Sequence, residues 1–356
     1  MDSLTQAVLG ATLQGAMLGR WQGRKALLYG AVLGTLPDLD VVIEYGDAVA
    51  NMTYHRGFSH SLFVLGALAL LLTWLVRRFR PHPGYSGRRL LATVALVLLT
   101  HPLLDCFTSY GTQILWPLPQ VPVAWSSIFI IDPLYTLPLL VAVLLGLIYG
   151  LRDRASKAPH IALALSSLYL ASTLAGKQMA EQRVEAELAR QGIRAEALFS
   201  TPTPLNSLLW RVIVLDGESY HEALVGWLDR DPPQLERIPR GTALAAVLVD
   251  SPAYRRLAWF TDGVLRFDRI DDHLVVTDLR LGMTGFHPFR FDFAHWQDGA
   301  WQVNSQVTRW PVERGELQRL TLLWQRIWQP EVEVPLLAWA SELSKPLLAR
   351  HPHHAD

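Results

Sequence analysis

The sequence has one cysteine, Cys106, among 356 residues. A lone thiol cannot close an internal disulfide, make a CxxC redox pair or build a thiolate metal site, so any metal here is held by histidine and carboxylate. Charge is scarce as well: 18% of the residues are charged, against roughly 25% in soluble domains. What charge there is balances, with 32 Lys+Arg and 32 Asp+Glu. That leaves no basic surface for nucleic acid, and no such partner is expected. Walker loop, GxSxG, HExxH and internal repeat are all missing. No basic segment precedes the first apolar run, where Asp2 stands instead, so that run does not read as a cleavable signal peptide.

What the chain has is apolar sequence, 50% of its residues, unevenly placed. Up to about Gly176, apolar runs alternate with short charged or Pro/Gly-rich breaks; beyond it, charge becomes ordinary. We read residues 1–176 as a transmembrane metal-site domain, 177–315 as an extracytoplasmic β-rich (α+β) domain, and 316–356 as amphipathic helices with a polar tail. The fold class is mostly α: a polytopic transmembrane bundle followed by that small domain. About six spans are expected, at Leu4–Gly19, Ala26–Ile43, Leu62–Val76, Leu90–Leu104, Ile128–Leu151 and Ile161–Ala175. Several fall short of the ~20 residues that cross ~30 Å of hydrocarbon, which fits spans whose ends open into a polar, water-filled site. Buried helices of a soluble bundle are the other reading. The six runs fill nearly the whole half, and Ile128–Leu151 is long enough alone.

Basic residues set the orientation. The breaks after runs one, three and five hold Arg20, Arg24, Lys25, Arg77, Arg78, Arg80, Arg88, Arg89, Arg152, Arg154 and Lys157, whereas the opposite breaks hold only Arg56. The first set is therefore cytoplasmic. The protein is expected in the cytoplasmic (inner) membrane, multi-pass, with its C-terminal domain outside.

The ionisable residues near the runs then collect on the outer side: Asp2, Pro37-Asp38-Leu39-Asp40, His55-Arg56-Gly57-Phe58-Ser59-His60-Ser61, His101-Pro102-Leu103-Leu104-Asp105, and Asp132-Pro133. A carboxylate deep in a span costs on the order of 2.5–3.5 kcal/mol, so several together need a compensating partner, and a divalent cation is one. His101 and Asp105, four apart, share a helix face. Asp38 and Asp40 follow a proline in a segment expected to leave helical geometry, so their side chains need not diverge. His55 and His60 bracket Gly57 in a loop able to fold over a metal. His55, His60, His101, Asp105, Asp38 and Asp40 are thus the candidate ligands for one or two divalent ions, and a mixed His/Asp set points to zinc or manganese. Asp38, Asp40 and Arg56 are the catalytic candidates. Whichever carboxylate is not a ligand acts as general base, and Arg56 steadies a phosphate or anchors at the interface. Asp2 and Asp132 are read as helix caps that could also touch the site, and Ser59 and Ser61 as helix-start caps. Gly10, Gly15 and Gly19 read as packing positions. No chemistry is assigned to His82, or to the tail histidines His351, His353 and His354.

These motifs together, with Met1-Asp2-Ser3-Leu4-Thr5-Gln6, Thr108-Ser109-Tyr110-Gly111 and Trp116-Pro117, resemble the YdjM-type inner-membrane family over roughly the first 180 residues. The resemblance implies a metal-dependent hydrolase and names no substrate. Many members carry a Thr-His pair where this chain has Thr5-Gln6, so if that histidine is a ligand elsewhere, this chain lacks it.

Past Gly176, Lys177–Gln191 reads as a charged amphipathic helix. Strands are expected at Leu208–Leu215, Leu257–Thr261, Val264–Ile270, His273–Leu279, Pro288–Phe293 and Trp301–Thr308, with hairpin turns at 216–217, 262–263 and 298–299. Glu316–Trp328 and Val334–Leu348 carry apolar residues at helical spacing, suited to a bilayer surface or to packing on the β domain.

The expected function is a membrane metal-dependent hydrolase acting at the outer face on a phosphoester of a lipid or lipid-linked substrate, through metal-activated water. The alternatives are a metal-ion transporter or sensor, and a scaffold with a structural metal site. Membrane lipid is the expected partner.

Overall fold

A computed structural model describes residues 1–152, 157–312 and 317–346. The chain divides into two compact units, one formed by Met1–Ile43 and Tyr54–Leu174, the other by Glu44–Thr53 and Ala175–Asp356. Arg154, Glu316 and the tail histidines named above lie outside the described residues.

The first unit is helical. Helix α1 (Ser3–Gln22) is mostly buried and opens on Asp2, whose carboxylate accepts from the backbone of Leu4 and Thr5. It crosses α2 (Lys25–Thr35) through glycine: a Cβ at Gly10 would stand 2.2 Å from the Gly30 carbonyl, and one at Gly34 2.6 Å from the Gln6 carbonyl. Gly15 and Gly19 pack close to Leu151. After α2 the chain tightens into a 3₁₀ turn, Leu36–Val42, leaves for α3 (Ala48–Tyr54), which but for Tyr54 belongs to the second unit, and continues with a second 3₁₀ turn at Phe58–His60 and α4 (Leu62–Phe79). Helix α5 (Gly87–Cys106) packs on α1 and α4 through Leu18, Leu65, Ala69, Val94 and Leu98. Helix α6 (Pro133–Tyr149) is capped by Asp132, and α7 runs unbroken from Ala158 to Gln191.

Among the described residues three helices are long and apolar enough to cross a membrane, α4, α5 and α7. The other expected runs fold shorter or less apolar. Leu4–Gly19 lies in the largely buried α1, Ala26–Ile43 breaks after Thr35 into α2 and its 3₁₀ turn, and Ile128–Leu151 is helical only as the 17-residue α6. Large apolar side chains cover the outward faces of α4 and α6, including Leu70, Leu71, Trp74, Leu137, Leu144 and Ile148, which suits a lipid solvent.

The second unit contains two four-stranded antiparallel sheets, each a sequential meander: β1–β4 (Ala197–Pro202, Leu209–Asp216, Ser219–Gly226, Glu236–Pro239) and β5–β8 (Leu265–Ile270, His273–Asp278, Arg290–Gln297, Ala300–Arg309). The turns at 216–217 and 298–299 make hairpins as expected. Leu257–Thr261, expected as a strand, instead ends helix α8 (Pro252–Thr261). Ser251 caps α8 and Pro252 opens it, so Leu257, Phe260 and Thr261 are buried at helical spacing. Asp262-Gly263 accordingly closes that helix with two left-handed residues rather than turning a hairpin. Strands β1, β3 and β4 went unread in the sequence. Helices α9 (Leu317–Trp328) and α10 (Leu336–Ser341) end the described chain and pack on the sheets through Leu323, Ile327, Leu336 and Trp339.

Candidate metal centre

Four side chains from three parts of the first unit converge: Asp38 from the 3₁₀ turn after α2, His60 from the one before α4, and His101 and Asp105 from the end of α5. One ligand atom from each lies within 4.8 Å of all the others, and among the described residues no other such group occurs. His60 Nε2 stands 3.4 Å from Asp38 Oδ1, 3.2 Å from Asp105 Oδ2 and 3.2 Å from His101 Nε2. His101 Nε2 is 3.3 Å from Asp38 Oδ1 and 3.5 Å from Asp105 Oδ2. In a regular tetrahedron with such edges the centre lies about 2.0–2.1 Å from each corner, the length of a zinc–nitrogen or zinc–oxygen bond.

The hydrogen bonds behind the imidazoles fix which nitrogen faces that centre. His101 Nδ1 lies 2.6 Å from the Gly34 carbonyl oxygen, which can only accept, so Nδ1 carries the proton and Nε2 presents its lone pair. His60 Nδ1 is 2.9 Å from Ser59 Oγ, and that hydroxyl is 2.6 Å from Asp40 Oδ2. Ser59 donates its one proton to the carboxylate and accepts from His60, again leaving Nε2 toward the centre. Asp105 is fully buried; its Oδ1 takes the Met1 ammonium and Gln6 Nε2 (3.1 Å), while its Oδ2, aimed at the cluster, has no hydrogen-bond donor. Two imidazole lone pairs and two carboxylate oxygens packed at van der Waals distance repel one another, and a divalent cation satisfies all four. The donor set therefore fits the expected metal.

The six expected ligands separate into two groups. Asp40 and His55 stand beside the four: His55 Nδ1 is 3.0 Å from Asp40 Oδ1, and Asp40 Oδ2 also accepts from the Arg56 backbone at 3.1 Å. The reason is local. Residues 36–42 stay helical as a 3₁₀ turn instead of leaving helical geometry, and at roughly 120° per residue two positions two apart diverge. Asp38 thus faces the cluster while Asp40 faces the 55–60 loop. Arg56, at φ 59°, is buried, with Nε 3.4 Å from Asp105 Oδ2, NH1 3.3 Å from Thr108 Oγ1, and its guanidinium 4.9 Å from the Tyr110 ring centre. Asp2 and Asp132 act as caps, and Asp132 also accepts from Tyr169 OH at 2.7 Å. Ser61 caps α4, but Ser59 does not cap a helix; it links Asp40 to His60.

Sequence reasoning missed the roles of Gly34 and Gln6. A backbone carbonyl leaves no side-chain signal, although the glycines at 30 and 34 mark a close helix crossing. Gln6, which follows Thr5 on the buried face of α1, holds Asp105 through its amide.

A family model described as YdjM inner membrane protein matches residues 1–180, which include every residue of this cluster. This chain belongs to the YdjM inner membrane protein family. Across the longer sequence it is 26% identical over 310 residues to the uncharacterised protein YfhP of Bacillus subtilis, a match covering 81% of this chain and 89% of YfhP. The inner membrane protein YbcI of Escherichia coli is 40% identical over 97 residues, covering 26% of this chain and 54% of YbcI. No solved structure matches it. The YfhP match thus extends past the family region into the β-sheets. There His221, His273 and His295 pair with Asp216, Asp292 and Asn304, and burial, with Arg211 facing it, pushes the His287 imidazole well below the usual histidine range.

Proposed function

We propose that this YdjM-family protein is an integral membrane metal-dependent hydrolase, crossing the membrane about six times with its metal centre and C-terminal unit on the outer face, and acting on a phosphoester of a lipid or lipid-linked substrate. The observation that carries the reading is the set of four acceptor atoms, three of them on buried side chains, with five of their six separations at 3.2–3.5 Å and both imidazoles turned Nε2-inward. Four donors support one ion, and two nitrogens with two oxygens favour zinc or manganese. When bound, such an ion acts as a Lewis acid and makes water ionisable near neutral pH.

The residues around it divide the remaining work. Asp38, with its side chain 20% exposed where the other three are buried, is the ligand on the solvent side. His55 donates from Nδ1 to Asp40, so its Nε2 is the basic nitrogen, and this partly exposed imidazole is the group that takes a proton from attacking water. Arg56 stands beside Asp105 and adds positive charge for a phosphate. The lipid assignment is supported by Leu39, Val41 and Val42, which share a helical turn with the two acids yet are exposed.

The test combines metal analysis with turnover of phosphatidic acid and phosphatidylglycerol in mixed micelles. Wild-type protein purified without chelator is expected to hold about one ion per chain, and His60→Ala none. His55→Gln is expected to keep the ion and lose at least about 100-fold in phosphoester cleavage. A metal-free wild type overturns the proposal at its root; a metal-loaded wild type that cleaves neither lipid overturns the hydrolase in favour of a structural or transported ion.

A further inference from the structure

Helix α9 carries one broad apolar arc, and only one side of it is covered by the rest of the unit. Leu323 and Ile327 are buried against Leu209, Leu224 and Met283. Leu317, Leu320, Trp324 and Trp328 are between 40% and 80% exposed. Their spacing, three, seven and eleven from the first, places them within about 80° of one another around a helix of 3.6 residues per turn, so they form one stripe. Trp324 and Trp328 meet edge to face at 5.8 Å. Leu228, also exposed, lines a groove together with Trp328, and Asp231, Glu331 and Glu333 in that groove mark where the apolar surface ends. We infer that this stripe lies in the membrane–water interface and anchors the C-terminal unit to the bilayer surface.

Charge and context select the bilayer over another protein as the occupant. The two cations of α9 are turned inward: Arg319 pairs with Glu342, and Arg326 holds Asp229 through both nitrogens at 2.6 and 2.8 Å. The stripe itself carries no charge to recognise a complementary partner. It offers leucine and tryptophan, the side chains that settle at the level of lipid headgroups, where an indole meets both water and hydrocarbon. The same chain carries three helices suited to crossing a membrane and belongs to an inner membrane family, so a bilayer surface is present without any second molecule having to be recruited. Because both arginines are already paired, attachment should depend on apolar contact and be indifferent to anionic lipid.

The full chain, reconstituted in phosphatidylcholine vesicles with and without phosphatidylglycerol, tests this. An environment-sensitive fluorophore is placed on Trp324→Cys, on Leu317→Cys as a second position in the stripe, and on Gln318→Cys as the reference on the helix flank. Native Cys106 is buried, and the unsubstituted chain serves as the labelling blank. Expected is a blue-shifted emission at 324 and 317, reduced at least about twofold by nitroxide-bearing phospholipid, equally in both vesicle types, with position 318 quenched instead by aqueous iodide. Iodide quenching at 324 and 317 overturns the inference. A blue shift that neither quencher touches also overturns it, since the stripe is then covered by protein.

Discussion

Ser59 has one proton and two neighbours that want it. By donating to Asp40 and accepting from His60, its hydroxyl converts a carboxylate at the side of the site into control over which His60 nitrogen faces the centre. Groups behind metal-bound histidines are worth 10–100-fold in metal affinity, and Ser59→Ala should fall in about that range when measured by competition with a chromogenic chelator in detergent. Ser59→Thr, which keeps the hydroxyl, should recover most of the loss; an equal deficit in both variants would mean the effect is packing, not tautomer. The sequence made the participants legible without this relation. A serine before a helix reads as a cap, and Ser61 next door is one. Which of two similar hydroxyls serves the helix and which serves the imidazole depends on how the 55–60 loop folds over Asp40, and no spacing rule contains that.

Between elements, the site depends on how closely α1 and α2 approach. Gly34 supplies the carbonyl that orients His101, and α2 reaches that position because Gly10 and Gly30 let the two backbones touch. A Cβ on Gly30 would stand 2.2 Å from the Gly10 carbonyl, and backbone cannot rotate aside as a flexible side chain would. Gly30→Ala should therefore push the helices apart, costing about 1–3 kcal/mol of stability and weakening metal binding through His101. Gly66→Ala on α4, where a Cβ meets nothing within 4 Å, is the control that should do neither. A normal melting temperature and normal affinity in Gly30→Ala would show that the crossing can relax. The i,i+4 pair His101–Asp105 was readable because a helix face is a local property. The divergence of Asp38 from Asp40, and the helix at Leu257–Thr261, were not: the first turns on 3₁₀ against irregular backbone after Pro37, the second on a short apolar run whose period is ambiguous until its cap at Ser251 is given weight.

For the molecule as a whole, the open quantity is a parity. The apolar runs were legible as a membrane half because lipid demands long uncharged stretches, yet α2 is short and partly built into the bundle, and α6 is only 17 residues long. Each helix that crosses or fails to cross reverses the side on which all later residues emerge, so one miscounted run inverts everything beyond it. Basic residues supply an independent expectation: by the positive-inside rule the stretch around Arg77, Arg78, Arg80, Arg88 and Arg89 is expected in the cytoplasm, and residues 105–127, which contain no Lys or Arg, outside. If α6 and α7 both cross, the sheets return to the side of the metal centre; if only α7 does, they face the cytoplasm. Single cysteines decide between these. Pro83→Cys and Gln306→Cys both sit at exposed positions, and Cys106 is buried. In intact spheroplasts a membrane-impermeant maleimide should label position 306 and leave 83 unlabelled until the membrane is opened. Protection of 306 beside 83 would put the sheets inside with an odd number of crossings between the two positions excluded, and the metal centre would then have to be reached from a different side than the C-terminal unit.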